Sequence, residues 1–267
     1  MKAYFFAAVL VAMTASLVTA PFPSSASKSI QPANTCEESL PQDPGSQEEW
    51  DPSRSGIGDL TEGPREEAAR PKKDLTIEGR LFTREQFAAY VKHSIVPELK
   101  KKKKPGELRA QFIVLHHTGV PSIQQRPNGF TTSNMHALAH FYGFEQRWPS
   151  GPHLFIDQNG IWVFTSLLKV GTHSPSWNNK AWGIEQLGNY SIEDYDSGKG
   201  EKIRDNAIAA IAILSVARNL DAETLRFHFE DTLTTHKNCP GTSCKKPDVL
   251  TKVKSEIERW RAAWPTL

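Results

Sequence analysis

From residue 107 to the C-terminus, short apolar runs alternate with longer segments in which apolar positions recur every three or four residues. QFIVL, at 111–115, reads as a strand of the fully buried kind. SNMHALAHFYGF has helical spacing, with Ser133 or Asn134 as its cap. HLFID and IWVFT are strands on either side of Gln158-Asn159-Gly160, a hairpin signal with Asn-Gly at its tip. AWGIEQLG is a further strand, 201–219 a long amphipathic helix, LRFHF a short strand, and 247–263 a helix with Pro247 in its first turn. Upstream, LTIEGRLFTREQFAAYVKHSIVPEL predicts a helix packed ahead of this region, with Thr83 as N-cap and Glu85 in the first turn. Strands alternating with helices, plus one hairpin, predict an α/β fold with a mixed central β-sheet flanked by helices.

The remainder of the chain has a different character. Residues 1–26 give a lysine, an apolar run of about 15 residues and then small residues ending at Ala26, the order of a secretory signal peptide. Residues 27–74 carry the turn clusters PQDPG, DPSRSG and EGPREE without periodicity, and read as a linker or disordered arm. Residues 75–106 form a helical segment before the domain, and 107–267 the domain itself. No later stretch is apolar enough to span a bilayer, so no stable membrane span is expected once the signal is removed, and a secreted or periplasmic location follows. A net charge of +2 over 267 residues argues against a nucleic-acid partner. The basic run Lys100 to Lys104 reads as a solvated loop. Three cysteines are too few for a disulfide framework; Cys36 and Cys244 could pair, leaving Cys239 over.

Chemistry concentrates in two places. HFEDTLTTHKNCPG, at 228–241, gathers His228, His236, Lys237 and Cys239 before a Pro-Gly turn, and IVLHHTG delivers His116 and His117 to the end of a strand. Imidazole and thiolate together suit zinc, whose catalytic sites keep one position for water. Glu185 is a carboxylate within an apolar strand, a costly location unless it is paired or working. If the segment is extended, Lys237 and Cys239, two residues apart, face one centre. Two imidazoles and a thiolate on zinc, a carboxylate base and an ammonium for the oxyanion describe metal-assisted amide hydrolysis.

In IVLHHTG, PHLFIDQNGIWVF, WNNKAWGIEQLGNY and HKNCPG, taken in that order over 111–251, the sequence resembles the zinc-dependent N-acetylmuramoyl-L-alanine amidases of type 2, which share their fold with peptidoglycan recognition proteins and phage amidase lysozymes. The resemblance implies zinc as cofactor, His116, His228 and Cys239 as its ligands, Glu185 as the water-activating carboxylate, Lys237 as the oxyanion stabiliser, and peptidoglycan or a muropeptide as substrate. Two departures stand out. Pro152 occupies the position where the phage branch carries a tyrosine, which leaves the base role to Glu185. The spacing from His228 to Cys239 is longer than in the commonest members, which makes His236 a rival ligand or a substrate-orienting residue.

His173, Trp177 and Asn178 in GTHSPSWNN are expected to face the substrate; His117, pointing away from His116 on the strand, is expected to support the site, and His153 to pack beneath it. His136 and His140, four apart on a helix, lack a nearby acid and read as helix surface. Two other classes are compatible with the sequence: a recognition module that holds muropeptides without cutting them, and an interaction protein whose zinc is closed off by a fourth ligand such as His236.

Overall fold

The computed structural model describes residues 72–264. The expected signal peptide, nearly all of the arm at 27–74, and Cys36 with its suggested bridge to Cys244 lie outside the described residues. Six strands form one sheet: β1 (Arg80–Phe82), β2 (Phe112–His117), β3 (Leu154–Asp157), β4 (Gly160–Val163), β5 (Ala181–Gln186) and β6 (Arg226–Phe227), in the order β1-β4-β3-β5-β2-β6. β3, β5, β2 and β6 run parallel, whereas β4 is antiparallel to both β3 and β1, so the sheet is mixed as expected. Every residue of β3, β4 and β5 is buried, which is why these strands read as continuous apolar runs.

Helices cover the sheet. α1 (Arg84–Tyr90) passes through a π-helical turn, Val91–Ile95, into α2 (Val96–Lys100). The turn falls just before Pro97, whose missing N–H and bulky ring interrupt the regular hydrogen-bond ladder. Thr83 caps α1 as expected, in a reciprocal box with Gln86. α4 (Gly198–Arg218) packs on β3, β4 and β5, and α5 (Lys246–Ala263) packs on α4. The sequence suggested an amphipathic α4; in fact Asn206 to Val216 is buried without interruption, because the helix has the sheet on one side and α5 on the other. Asn219 ends it in the left-handed region, φ 52°, which asparagine tolerates.

Three other expectations are corrected. α3 (Thr132–His140) is capped by Thr131, boxed with Asn134, and not by Ser133 or Asn134. The hairpin turn is Gln158-Asn159, with Gly160 already paired to Asp157; the buried Asp157 carboxylate accepts the Asn159 and Gly160 N–H groups at 2.7 and 3.1 Å and so sets the turn. Gly160 is needed for another reason: a Cβ there would lie 2.3 Å from the Phe82 carbonyl oxygen. That close approach seats β1, an edge strand hidden inside a segment that reads as helical. LRFHF shrinks to the two residues of β6, after which His228 enters a 3-10 turn.

Burial carries the stability. Trp182, Phe155, Ile113 and Leu115 are essentially inaccessible, and each such side chain contributes roughly 1.5–3 kcal/mol. Lys100 to Lys104 are exposed, and the Lys101–Glu98 pair, 2.6 Å apart on the surface, contributes at most about 1 kcal/mol. The cap assignment is checked by denaturant unfolding: Thr131→Ala is expected to cost about 1 kcal/mol, and Ser133→Ala, on an exposed residue outside the cap, close to nothing.

Candidate metal centre and active site

Parallel register builds the site. His116 on β2 pairs with Glu185 on β5, and Leu115 pairs with Phe227 on β6, so His228 leaves its strand one step beyond. Three side chains thus converge at the carboxyl ends of three adjacent parallel strands, where α/β sheets present ligand sites. Cys239 reaches the same place by a loop that doubles back: the Phe229 N–H donates to the Cys239 carbonyl at 3.0 Å. The donor atoms of His116, His228 and Cys239 all lie within 4.8 Å of one another, and the three residues are buried. This is the one such group of His, Cys, Asp and Glu among the described residues.

Burial dominates the electrostatics of the group. Burial pushes His116 well below its ordinary value, with His228 and His173 adding to the effect, and burial and His236 push His228 down to about 3. Both imidazoles are therefore neutral and offer lone pairs. Burial, then Glu185, push the Cys239 thiol up, while the His117 backbone amide acts the other way. A bound cation reverses that balance, since it favours the thiolate. His228 Nε2 and Glu185 Oε2 are buried without a hydrogen-bond partner. Two imidazole nitrogens and a thiol fit three positions of a tetrahedral zinc centre and leave the fourth for water, beside the unpartnered carboxylate oxygen.

Glu185 is 3% exposed, and its Oε1 lies 3.7 Å from His116 Nδ1. Burial alone pushes its carboxyl up to about 8. Beside the donor group is a cavity of about 300 Å³ bordered by Glu185, His173, His236, Trp148, Pro152 and Thr118. Pro152 thus stands on the cavity wall, where it can donate no proton.

The structure sorts the remaining expected residues. His236 lines the cavity with its ring stacked 5.4 Å from that of His228, but it is outside the donor group. Lys237 is exposed and does not border the cavity. The expectation that it shares a side with Cys239 is revised, because 237–240 is a turn and not an extended strand. Trp177 is also revised: it packs edge-on against Phe112 at 5.5 Å, away from the cavity. Asn178 is occupied in closing its loop, its Oδ1 accepting the N–H groups of His173 and Ser174 at 2.7 and 2.8 Å. His173 borders the cavity but is only 4% exposed, with its Nδ1 3.2 Å from His116 Nε2.

His117 accepts the Tyr190 N–H on Nδ1 at 3.1 Å, a supporting role, and, contrary to the expectation that it points away, it also borders the cavity. His153 lies beneath, accepting the Gly183 N–H on Nδ1 and donating from Nε2 to the Lys169 carbonyl. His136 and His140 are exposed, and His140 pairs with Asp74 at 2.9 Å. Asp231 escaped the sequence reading. It is fully buried and accepts hydrogen bonds from the hydroxyls of Ser174 and Ser176 at 2.5 and 2.6 Å. Its only signal was an acid three residues after His228.

The family model described as N-acetylmuramoyl-L-alanine amidase (Amidase_2) matches residues 105–242, just over half of the chain. A pig (Sus scrofa) protein named N-acetylmuramoyl-L-alanine amidase is 26% identical over 104 residues, 38% of this chain and 17% of that relative, so the match spans less than a fifth of the relative's length. Among solved structures, the N-acetylmuramoyl-L-alanine amidase LysC from Clostridium intestinale is similar with TM-score 0.44 and 23% identity, covering 57% of this chain and 92% of that one. Drosophila PGRP-LB has TM-score 0.41 and 21% identity, covering 61% and 91%. With the sequence motifs in order, the donor group assembled and the family model matched across the whole site, the chain belongs to the N-acetylmuramoyl-L-alanine amidase family.

Proposed function

We propose that this protein is a zinc-dependent hydrolase, exported to a secreted or periplasmic location, that cleaves the amide bond between the lactyl group of N-acetylmuramic acid and L-alanine in peptidoglycan. The observation that carries the reading is the donor group of His116, His228 and Cys239 beside a buried carboxylate with an unpartnered oxygen, at the wall of an open cavity. Family membership supports the substrate class, and the apolar N-terminal run supports export. Among the described residues, no helix is long and apolar enough to cross a membrane.

Zinc, when bound, supplies Lewis acidity that lowers the pKa of water and polarises an amide carbonyl. His116, His228 and Cys239 would hold it. Glu185 takes the proton from the attacking water and delivers it to the departing L-alanine nitrogen, with Oε2 as the free acceptor. Its carboxyl, raised to about 8 by burial, sits near the pH at which it must exchange a proton in both directions. Lys237 adds positive charge from the exposed turn before Cys239, where it already contributes to depressing His228. Trp148 and Pro152 give the cavity an apolar wall against which the lactyl and alanyl groups can pack.

Three outcomes check the reading. Purified protein incubated with peptidoglycan is expected to release new L-alanine amino termini, to stop in a chelator and to recover with added zinc. Glu185→Gln should slow release by about 10²–10⁴-fold with zinc content unchanged. Binding without release, insensitive to chelator, would identify a recognition module instead. Elemental analysis should find one zinc per chain, lost in Cys239→Ala.

A fourth outcome concerns pH in the metal-free protein. The folded state holds the Glu185 proton up to about pH 8, whereas the unfolded chain releases it near 4.5. The unfolded state therefore binds fewer protons between these values, and stability falls as pH rises from 4.5 to 8. Glu185→Gln, which cannot ionise, should lose this component, so urea unfolding should show the variant gaining on the parent by a few kcal/mol between pH 5 and pH 8.

A further inference from the structure

We propose that His173 is a positioning residue that fixes the tautomer of His116 and thereby aims its lone pair at the donor group; this deepens the zinc reading above and rests on it. His173 Nε2 lies 3.3 Å from the Ala181 carbonyl oxygen. A carbonyl can only accept, so Nε2 carries the proton and the neutral ring is bare at Nδ1. That Nδ1 is 3.2 Å from His116 Nε2, which must donate to it. His116 then carries its lone pair on Nδ1, the nitrogen that lies 3.7 Å from Glu185 Oε1. Both rings are buried and neither has a carboxylate within hydrogen-bond distance, which favours these neutral forms. A relay from the Ala181 carbonyl through His173 to His116 thus does for this ligand what outer partners do at metal centres: it sets the tautomer and holds the ring.

The chain invests in keeping His173 there. A Cβ on Gly183 would lie 2.3 Å from Cγ of His173, so the ring occupies space that β5 leaves open only because residue 183 is glycine. Asn178 gathers the His173 and Ser174 N–H groups, and Asp231 binds the Ser174 hydroxyl and the Ser176 hydroxyl and N–H. Asp231 immediately follows the turn that starts at His228. The loop that carries His173 is therefore fastened to the segment that carries a second member of the donor group.

Long-range ¹H–¹⁵N spectra of the metal-free parent protein should show His116 protonated on Nε2 and bare on Nδ1. In His173→Phe that preference should disappear, and zinc affinity, measured by competition with a chromophoric chelator, should fall about 10–100-fold. His173→Asn returns an acceptor near the lost Nδ1 and should restore most of the affinity. Gly183→Ala keeps both imidazoles and should reproduce part of the loss. A parent His116 protonated on Nδ1, or unchanged zinc affinity in a folded His173→Phe protein, overturns the proposal. A parent chain that binds no zinc overturns the zinc reading, while the imidazole spectrum still decides the tautomer.

Discussion

Everything at the site depends on the parallel register of β2 between β5 and β6. Side chains alternate across a strand, so a slip of β2 by one residue would present His117 in place of His116 opposite Glu185. Such a slip is opposed by hydrophobic packing, because the buried Ile113 and Leu115 would change faces with it. The placement of His116 beside Glu185 is thus fixed by hydrophobic packing several residues away.

That independence allows the site to be unfavourable in itself. A carboxylate, a thiol and two imidazoles share a volume from which water is nearly excluded, and burial moves every one of them toward its uncharged form. An unpartnered buried polar atom costs roughly 1–3 kcal/mol, and Glu185 Oε2 and His228 Nε2 are two of them. Such a cluster makes poor sense as a core and good sense as a receptor for a cation, whose charge would turn each of these costs into attraction.

Sequence patterning revealed the strands far better than the loops, for a physical reason. Strand burial leaves a period or an apolar run, so β2 and β5, and with them His116 and Glu185, could be placed from residue types alone. The donor group of His116, His228 and Cys239 was the set that the family resemblance implied, residue chemistry alone having left His236 as a rival to His228. Loops leave no period. Lys237 looked like a neighbour of Cys239 under an extended geometry that the turn abolishes, and Trp177, expected to face the substrate, packs on Phe112. β1 was hidden because three residues of edge strand are too short to show alternation, and its real signature, Gly160, lies on the strand it pairs with.

Asp231 shows the same limit from the other side. An acid in a polar loop is indistinguishable from solvated surface until the two serines it binds are seen to come from a segment more than fifty residues earlier in the chain. Once seen, it explains how a site half made of loops can be as rigid as one made of strands. His116 and Glu185 are held by the sheet, and His228 and Cys239 are held to each other by the Phe229–Cys239 backbone bond. Asp231 then joins the loop of His173 to the segment of His228, while His173 reaches back to His116. The circuit closes on the sheet where it began, so a displacement of either half is resisted by buried, charge-assisted hydrogen bonds, which are among the stronger ones available to a protein.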